Sequence, residues 1–309
     1  MKPADRRRRQ PKFAVRRLLG ALAWGAMAAL PLAAPVSGQD NADQWRQPAR
    51  PAQRVVSLSP HLTELLFAVG AGAQIVGAVA HSDYPPAARR IPRVGGHGAL
   101  DIERILGLAP DLLVAWGSGN RGAALAQLRD LGAPVFSSEP KRLADIAEIL
   151  RQLGGLTGRR AQAERQAQAF LKRLRSIEMR YADRSPVSVF YQLWRQPLMT
   201  VGGPQMISRV IQLCGGRNVF AQLDALAPSV SLEAVLVADP EVIVVGGGGD
   251  ARSIWTERWR QWPDLLAVRR DNVFWLDPDR LQRHTPRLLD AAQALCQLLD
   301  RARAKRPAA

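Results

Sequence analysis

Of its 309 residues the chain has only two cysteines and four histidines. The histidines, His61, His81, His97 and His284, stand 20, 16 and 187 positions apart, so the close pair of an H-x-x-x-H metal site is missing. No serine lies in a G-x-S-x-G, and Ser57-Leu58-Ser59 is not a nucleophile elbow, which leaves hydrolase chemistry without support. No block of Lys and Arg alternates with aromatic residues, so the stripe that nucleic-acid binding requires is absent. A membrane-spanning helix needs about 20 strongly apolar residues. The uncharged run at residues 18–36 is instead rich in alanine and broken by Pro31 and Pro35.

That run has another reading. Lys2, the arginines at 6–9, Lys12, Arg16 and Arg17 precede it, and the small residues Ser37 and Gly38 follow, which is the layout of a secretory signal peptide over residues 1–38. The paired arginines lack the S-R-R-x-F-L-K pattern of a twin-arginine signal, so the export route stays open. Removing the segment's eight cations and one acid from the net charge of +16 leaves +9. In an exported chain, Cys214 and Cys296 favour a disulfide. The mature protein is expected to be soluble in the periplasm.

A short module occurs twice. Residues 101–116 read DIERILGLAPDLLVAW and residues 231–246 read SLEAVLVADPEVIVVG. Each opens on a capping residue, Asp101 or Ser231, able to accept a hydrogen bond from a free helix N–H. Each has a glutamate two positions later, Glu103 or Glu233, then a short apolar helix, a proline break at Pro110 or Pro240, and an apolar run typical of a buried strand. The repetition predicts two lobes built alike, with the working site in the cleft between them. Carboxylates in a first helical turn stabilise the helix by about 0.3–1 kcal/mol, which explains either glutamate alone. At equivalent positions of two lobes, they also form a symmetric pair of acidic knobs suited to arginines on a symmetric partner.

Around these modules, strands are predicted near 54–58, 74–79, 111–116, 134–137, 187–193, 241–246 and 272–276. Helices are predicted near 60–69, 101–108, 121–131, 141–154, 204–214, 231–237 and 284–302. The alternation specifies an α/β fold with parallel sheets. Residues 159–182 contain no Gly or Pro and are rich in Ala, Gln, Arg and Glu, which predicts one long helix. The chain is thereby divided into a signal peptide (1–38), a flexible lead-in (39–53), an N-terminal lobe (54–157), a linking helix (158–183), a C-terminal lobe (184–302) and a basic tail (303–309). A helical linker is stiff, so large hinge motion is not expected. The GGGGDA run from Gly246 formally fits a dinucleotide fingerprint, but it lacks the opening βαβ context and reads as a loop at a strand's carboxyl end, where glycine allows close approach to a ligand.

The ordered series RVVSLSPHLTELLFAVGAGAQIVGAVAHSDYPP, DIERILGLAPDLLVAWGSGN, VIQLCGGRNVF and TPRLLDAAQALC resembles the periplasmic vitamin-binding proteins of bacterial cobalamin ABC importers. These belong to a single-helix-hinged group that also carries siderophores and haem. The likeness runs from about Arg54 to Leu299. It implies a non-enzymatic, monomeric carrier that takes cobalamin or another corrinoid as cargo, has no cofactor of its own, and delivers to a membrane-embedded permease. It further implies a Cys214–Cys296 disulfide, permease docking by Glu103 and Glu233, and ligand contacts from Tyr84, Trp116, Asp279 and Arg283.

Three positions depart from the pattern. His97 and Ala227 stand where the cobalamin binders have tryptophan, and Met199 where they have phenylalanine, while Trp194 on a neighbouring loop can restore aromatic area. An imidazole at His97 could ligate a cobalt or iron with an open axial position, or simply pack at the rim. A siderophore carrier on the same scaffold should show several basic residues in the cleft, and a haem carrier Tyr84 or His97 as an axial ligand. An exported enzyme would have to use Asp279 or His284 as its acid–base group.

Overall fold

The computed structural model describes residues 50–96, 99–248 and 251–307, all within one unit, Trp45–Ala309. The expected signal peptide and most of the lead-in lie outside the described residues. In chain order the elements are β1 (Val55–Ser57), α1 (Pro60–Ala68), β2 (Ile75–Ala78), α2 (Ile102–Gly107), β3 (Leu112–Trp116), α3 (Gly122–Asp130), β4 (Val135–Ser138) and α4 (Asp145–Leu156). Next comes α5 (Arg160–Tyr181). The second series is β5 (Val187–Gln192), α6 (Met206–Leu213), β6 (Gly216–Asn218), α7 (Leu232–Ala238), β7 (Val242–Val245), α8 (Ala251–Trp259), α9 (Leu266–Arg269), β8 (Val273–Trp275), α10 (Pro278–Leu281) and α11 (Leu288–Ala304).

The two sheets have the same order, β2-β1-β3-β4 and β6-β5-β7-β8, and every pairing is parallel. Strands covered on both faces must be apolar throughout, and the four residues of β7 are all buried. The repeated module occupies the same place in each lobe: α2 leads into β3 and α7 into β7, the third strand in each order. Its caps form as the sequence implies, with Asp101 accepting from the Arg104 N–H at 2.9 Å and Ser231 from the Ala234 N–H at 3.1 Å.

Helix α5 joins the lobes and spans about 33 Å at 1.5 Å per residue. It buries Ala163, Ala167, Phe170, Leu174, Ile177 and Tyr181, a stripe at helical spacing. That stripe belongs to one continuous core cluster that includes Leu65 and Leu112 of the first lobe and Val244 and Leu289 of the second. The connector is therefore packed into both lobes. The cysteines form a disulfide, Cys214–Cys296, tying the end of α6 to α11.

Four elements escaped the sequence patterns: β6, α8 and the one-turn helices α9 and α10. Strand β6 reads Gly-Arg-Asn, with no apolar signal, and exists as an edge strand because β5 supplies its pairing. Helix α8 has no clean apolar stripe. The basic tail is also anchored through much of its length: Arg306 grips the Glu241 carboxylate at 2.7 and 2.8 Å, and Arg303 donates to the Cys214 carbonyl at 2.8 Å.

The lobes meet along a charged seam. Glu64 on α1, only 4% exposed, accepts from Arg287 at 2.6 and 2.9 Å and from Arg283 at 2.9 Å. Arg283 also donates to Asp83 at 2.7 Å and to Asp279 at 2.8 Å, while the Arg287 guanidinium sits 3.6 Å over the Tyr84 ring. Burial opposes the charge on Arg283, but its carboxylate partners outweigh burial and hold its pKa above the ordinary arginine value.

Beside the ion pairs lie His61 and His284, 4% and 5% exposed, with ring centroids 5.4 Å apart. The Trp116 indole stands edge-on to them at 5.2 and 5.7 Å. Burial, with the adjacent His284 and Arg283, pushes His61 well below its usual pKa, and burial pushes His284 down to about 4. Both imidazoles are neutral at pH 7.

Two outcomes follow from this architecture. The two buried histidines take up protons in the unfolded chain near pH 6.5 but resist them when folded. Stability should be full above pH 6.5 and fall toward pH 4, with His284 alone accounting for about 3 kcal/mol. Thermal melts across that window test this, and a His61→Leu/His284→Leu variant should flatten the profile. Replacing both cysteines by alanine releases a loop spanning 82 positions and should cost about 3–5 kcal/mol in urea unfolding. A loss under about 1 kcal/mol would contradict the chain-entropy account.

Candidate functional site

In a parallel sheet whose strand order reverses direction, the loops at the carboxyl ends of the strands diverge and leave a crevice. Both sheets do this, between β1 and β3 and between β5 and β7, and the two crevices open onto one cavity of about 960 Å³. The first lobe contributes Leu58 and Ser59 after β1, Val79 to His81 after β2, and Gly119 and Asn120 after β3. Opposite stand Leu193 and Trp194 after β5, Gly246 to Gly248 after β7, and Pro278, Asp279 and Gln282 after β8.

Hydrogen bonds to the main chain hold these walls. Asn120 accepts from the Trp116 N–H at 2.7 Å and donates to the Leu58 carbonyl at 2.8 Å, clamping the ends of β1 and β3 together. Across the cleft, Gln282 donates to the Gly246 carbonyl at 2.9 Å and to the Tyr191 hydroxyl at 3.1 Å, and the Trp275 indole donates to the Gly247 carbonyl at 2.8 Å. Packing explains two of the glycines: a Cβ on Gly119 would lie 1.9 Å from the Trp116 ring, and one on Gly246 would lie 1.7 Å from the Tyr191 hydroxyl. The Gly-rich run thus begins at a glycine fitted closely against Tyr191.

Each lobe presents one indole to the cavity. Trp116 ends β3, and Trp194 is 55% exposed with the Trp255 ring edge-on behind it at 5.8 Å. Of the other described lining residues, only Arg121 and Asp279 carry formal charge, and His81 adds an imidazole on a left-handed backbone with φ 64°. Apolar walls with a few polar groups suit a large flat ligand fringed with hydrogen-bonding groups, since the walls supply affinity and the polar groups orientation.

The described residues singled out from the sequence separate into four places. Trp116, Trp194 and Asp279 line the cavity together. Met199 pairs through its backbone with Trp194, at 3.1 and 3.4 Å, behind the wall. Tyr84 and Arg283 stand in the seam, where Arg287 covers the ring of the one and Glu64, Asp83 and Asp279 hold the guanidinium of the other. His97 lies outside the described residues. Glu103 and Glu233 are exposed in the first turns of α2 and α7, one per lobe, and a backbone N–H and the Ser231 hydroxyl hold the Glu233 carboxyl below its usual pKa.

Sequence reasoning missed His81, Arg121 and Gln282 in the wall, and the His61–His284 pair. The first three carry one usable signal, a polar residue one to seven positions beyond a predicted strand. The histidine pair, 223 positions apart, carries none.

The sequence profile of the periplasmic binding protein family matches residues 55–279. A vitamin B12-binding protein of Vibrio cholerae is 40% identical over 250 residues, covering 81% of this chain and 90% of that one. One from Yersinia pestis is 40% identical with coverages of 81% and 87%. Among solved structures, the periplasmic vitamin B12-binding protein of Vibrio cholerae superposes with a TM-score of 0.77 at 39% identity, over 82% of this chain and 98% of that one. The periplasmic haem-binding protein of Roseiflexus gives 0.73 at 25% identity, over 81% and 99%. With the family profile running from the first strand into α10 and the same two-lobed architecture around the cleft, the chain belongs to the periplasmic binding protein family.

Proposed function

We propose that this protein is a periplasmic carrier that captures cobalamin or a related corrinoid in the interlobe cavity and delivers it to an ABC permease. The observation that carries this reading is the cavity itself. At about 960 Å³ it lies at the upper end of small-molecule sites and offers one tryptophan from each lobe, while the relatives at 40% identity are named for vitamin B12 binding. A corrin is a broad apolar disc edged with amides. Capture needs burial against flat aromatic area plus a few hydrogen bonds, and no covalent step.

The competing cargoes and chemistries fit less well. A siderophore would meet a single cation, Arg121, among the described lining residues, where several are needed to balance its acidic groups. A haem-binding protein from Roseiflexus shares the fold, but Tyr84 stands in the seam and is not among the cavity-lining residues, which leaves His81 as the described imidazole at the cavity. An acid–base enzyme is poorly supported, because His284 is sealed in the seam and Asp279 accepts from Arg283 at 2.8 Å. Delivery relies on Glu103 and Glu233, two exposed carboxylates on equivalent helices, as the docking points for permease arginines. The shared core through α5 and the charged seam limit the opening that release requires.

Calorimetric titration of the mature protein with cyanocobalamin, cobinamide and haemin, side by side, tests the cargo. Stoichiometric corrinoid binding with weak haemin binding is expected, and haemin binding alone would overturn it. Trp194→Ala should weaken cyanocobalamin binding about 30-fold through lost apolar burial, without lowering the melting temperature. Glu103→Arg/Glu233→Arg should abolish uptake in a transport assay while leaving the dissociation constant within about twofold, as expected for surface charges remote from the cavity. Loss of affinity in that double variant would place the glutamates in the binding site instead.

A further inference from the structure

Among the described residues that line the cavity, Arg121 is the one cation. It lines the cavity at the start of α3, is exposed, and its guanidinium makes no hydrogen bond or ion pair among the described residues. Asp279, the other charged residue of the described lining, is held by Arg283. The arginines of the seam, by contrast, are saturated: Arg283 and Arg287 together contact Glu64, Asp83 and Asp279. An unpaired guanidinium at a largely apolar wall leaves its N–H donors and its positive charge open to a ligand. It is suited to an anionic group on the cargo, which guanidinium binds by charge-assisted hydrogen bonds.

We infer that Arg121 is a specificity-determining residue that receives the anionic phosphodiester of a corrinoid's nucleotide tail, so that the carrier prefers a complete cobalamin to cobinamide. The inference rests on the corrinoid reading above and deepens it. The two ligands share the corrin disc and its amides, which the tryptophan walls contact in either case. They differ in the nucleotide tail and its single phosphodiester charge. A cargo with one anion matches a cavity whose described lining holds one uncommitted cation, whereas burial of that charge without a partner would oppose binding. The propionates of haem present a related anion, so the test includes haemin.

The experiment is a calorimetric comparison of the mature protein with Arg121→Gln and Arg121→Lys variants, titrated with cyanocobalamin, dicyanocobinamide and haemin at two salt concentrations. Arg121→Gln keeps a polar side chain at an exposed position and should leave the melting temperature unchanged. It should weaken cyanocobalamin binding by about tenfold, as expected for one charge-assisted contact, and leave cobinamide within about twofold. Arg121→Lys should recover part of the loss, and the salt dependence of cobalamin binding should shrink in Arg121→Gln. Equal losses for cobalamin and cobinamide, or no loss for either, would overturn the role of Arg121 while leaving the corrinoid reading intact. Failure of the parent protein to bind either corrinoid, with haemin bound in an Arg121-dependent way, would overturn both the corrinoid cargo and the phosphodiester assignment.

Discussion

The seam around Glu64 governs the rest of the molecule. A carboxylate that is 4% exposed is costly to bury without cations beside it, and Arg283 and Arg287 reach Glu64 from the other lobe. Their other contacts, to Asp83, Asp279 and the Tyr84 ring, spread the constraint over both sides of the junction. The distance between the lobes is therefore set by ion-pair geometry, and so is the width of the cavity. Asp279 links the two directly, since it accepts from the seam arginine and also lines the cavity. Breaking one member would leave a buried charge unpaired, which strongly opposes independent movement of the lobes.

With the seam and the α5 stripe holding the scaffold, binding is assigned to strand ends. The order β2-β1-β3-β4 and its copy in the second lobe place six loops around one space. Side-chain amides at Asn120 and Gln282 tie these loops to main-chain carbonyls, so the walls are formed before any ligand arrives. A preformed site loses less entropy on binding than one that must be ordered, which favours capture of a scarce solute. Release then requires work on the seam. Carboxylates are exposed on α2 and α7, one on each lobe.

The sequence was most informative where a local signal and burial coincide. The duplicated capped helix, proline break and apolar strand appear at equivalent positions of the two sheets, because capping and period-free apolar runs are local properties. Strand β6 was illegible for the opposite reason: Gly-Arg-Asn pairs only because β5 lies beside it. Trp116 and Asp279 were found by resemblance and line the cavity, as does Trp194, chosen as a neighbouring aromatic, but Tyr84 and Arg283, found by the same resemblance, sit in the seam. A residue type suited to a ligand is equally suited to an interface, and one dimension does not distinguish them.

The chain's order of residues by itself determined the α/β class, the two lobes built alike, the long helix between them and the carboxylates at the starts of the repeated helices. Each depends on contacts within a few turns or on periodic burial. Only the tertiary structure decided which polar residues remain free. Arg283, Arg287 and Arg121 look alike in sequence, yet two are consumed by Glu64, on a helix more than 200 positions away, and one faces the cavity unpaired. Whether a charge is available to a ligand depends on which partners the fold brings within about 3 Å, a property no local pattern encodes.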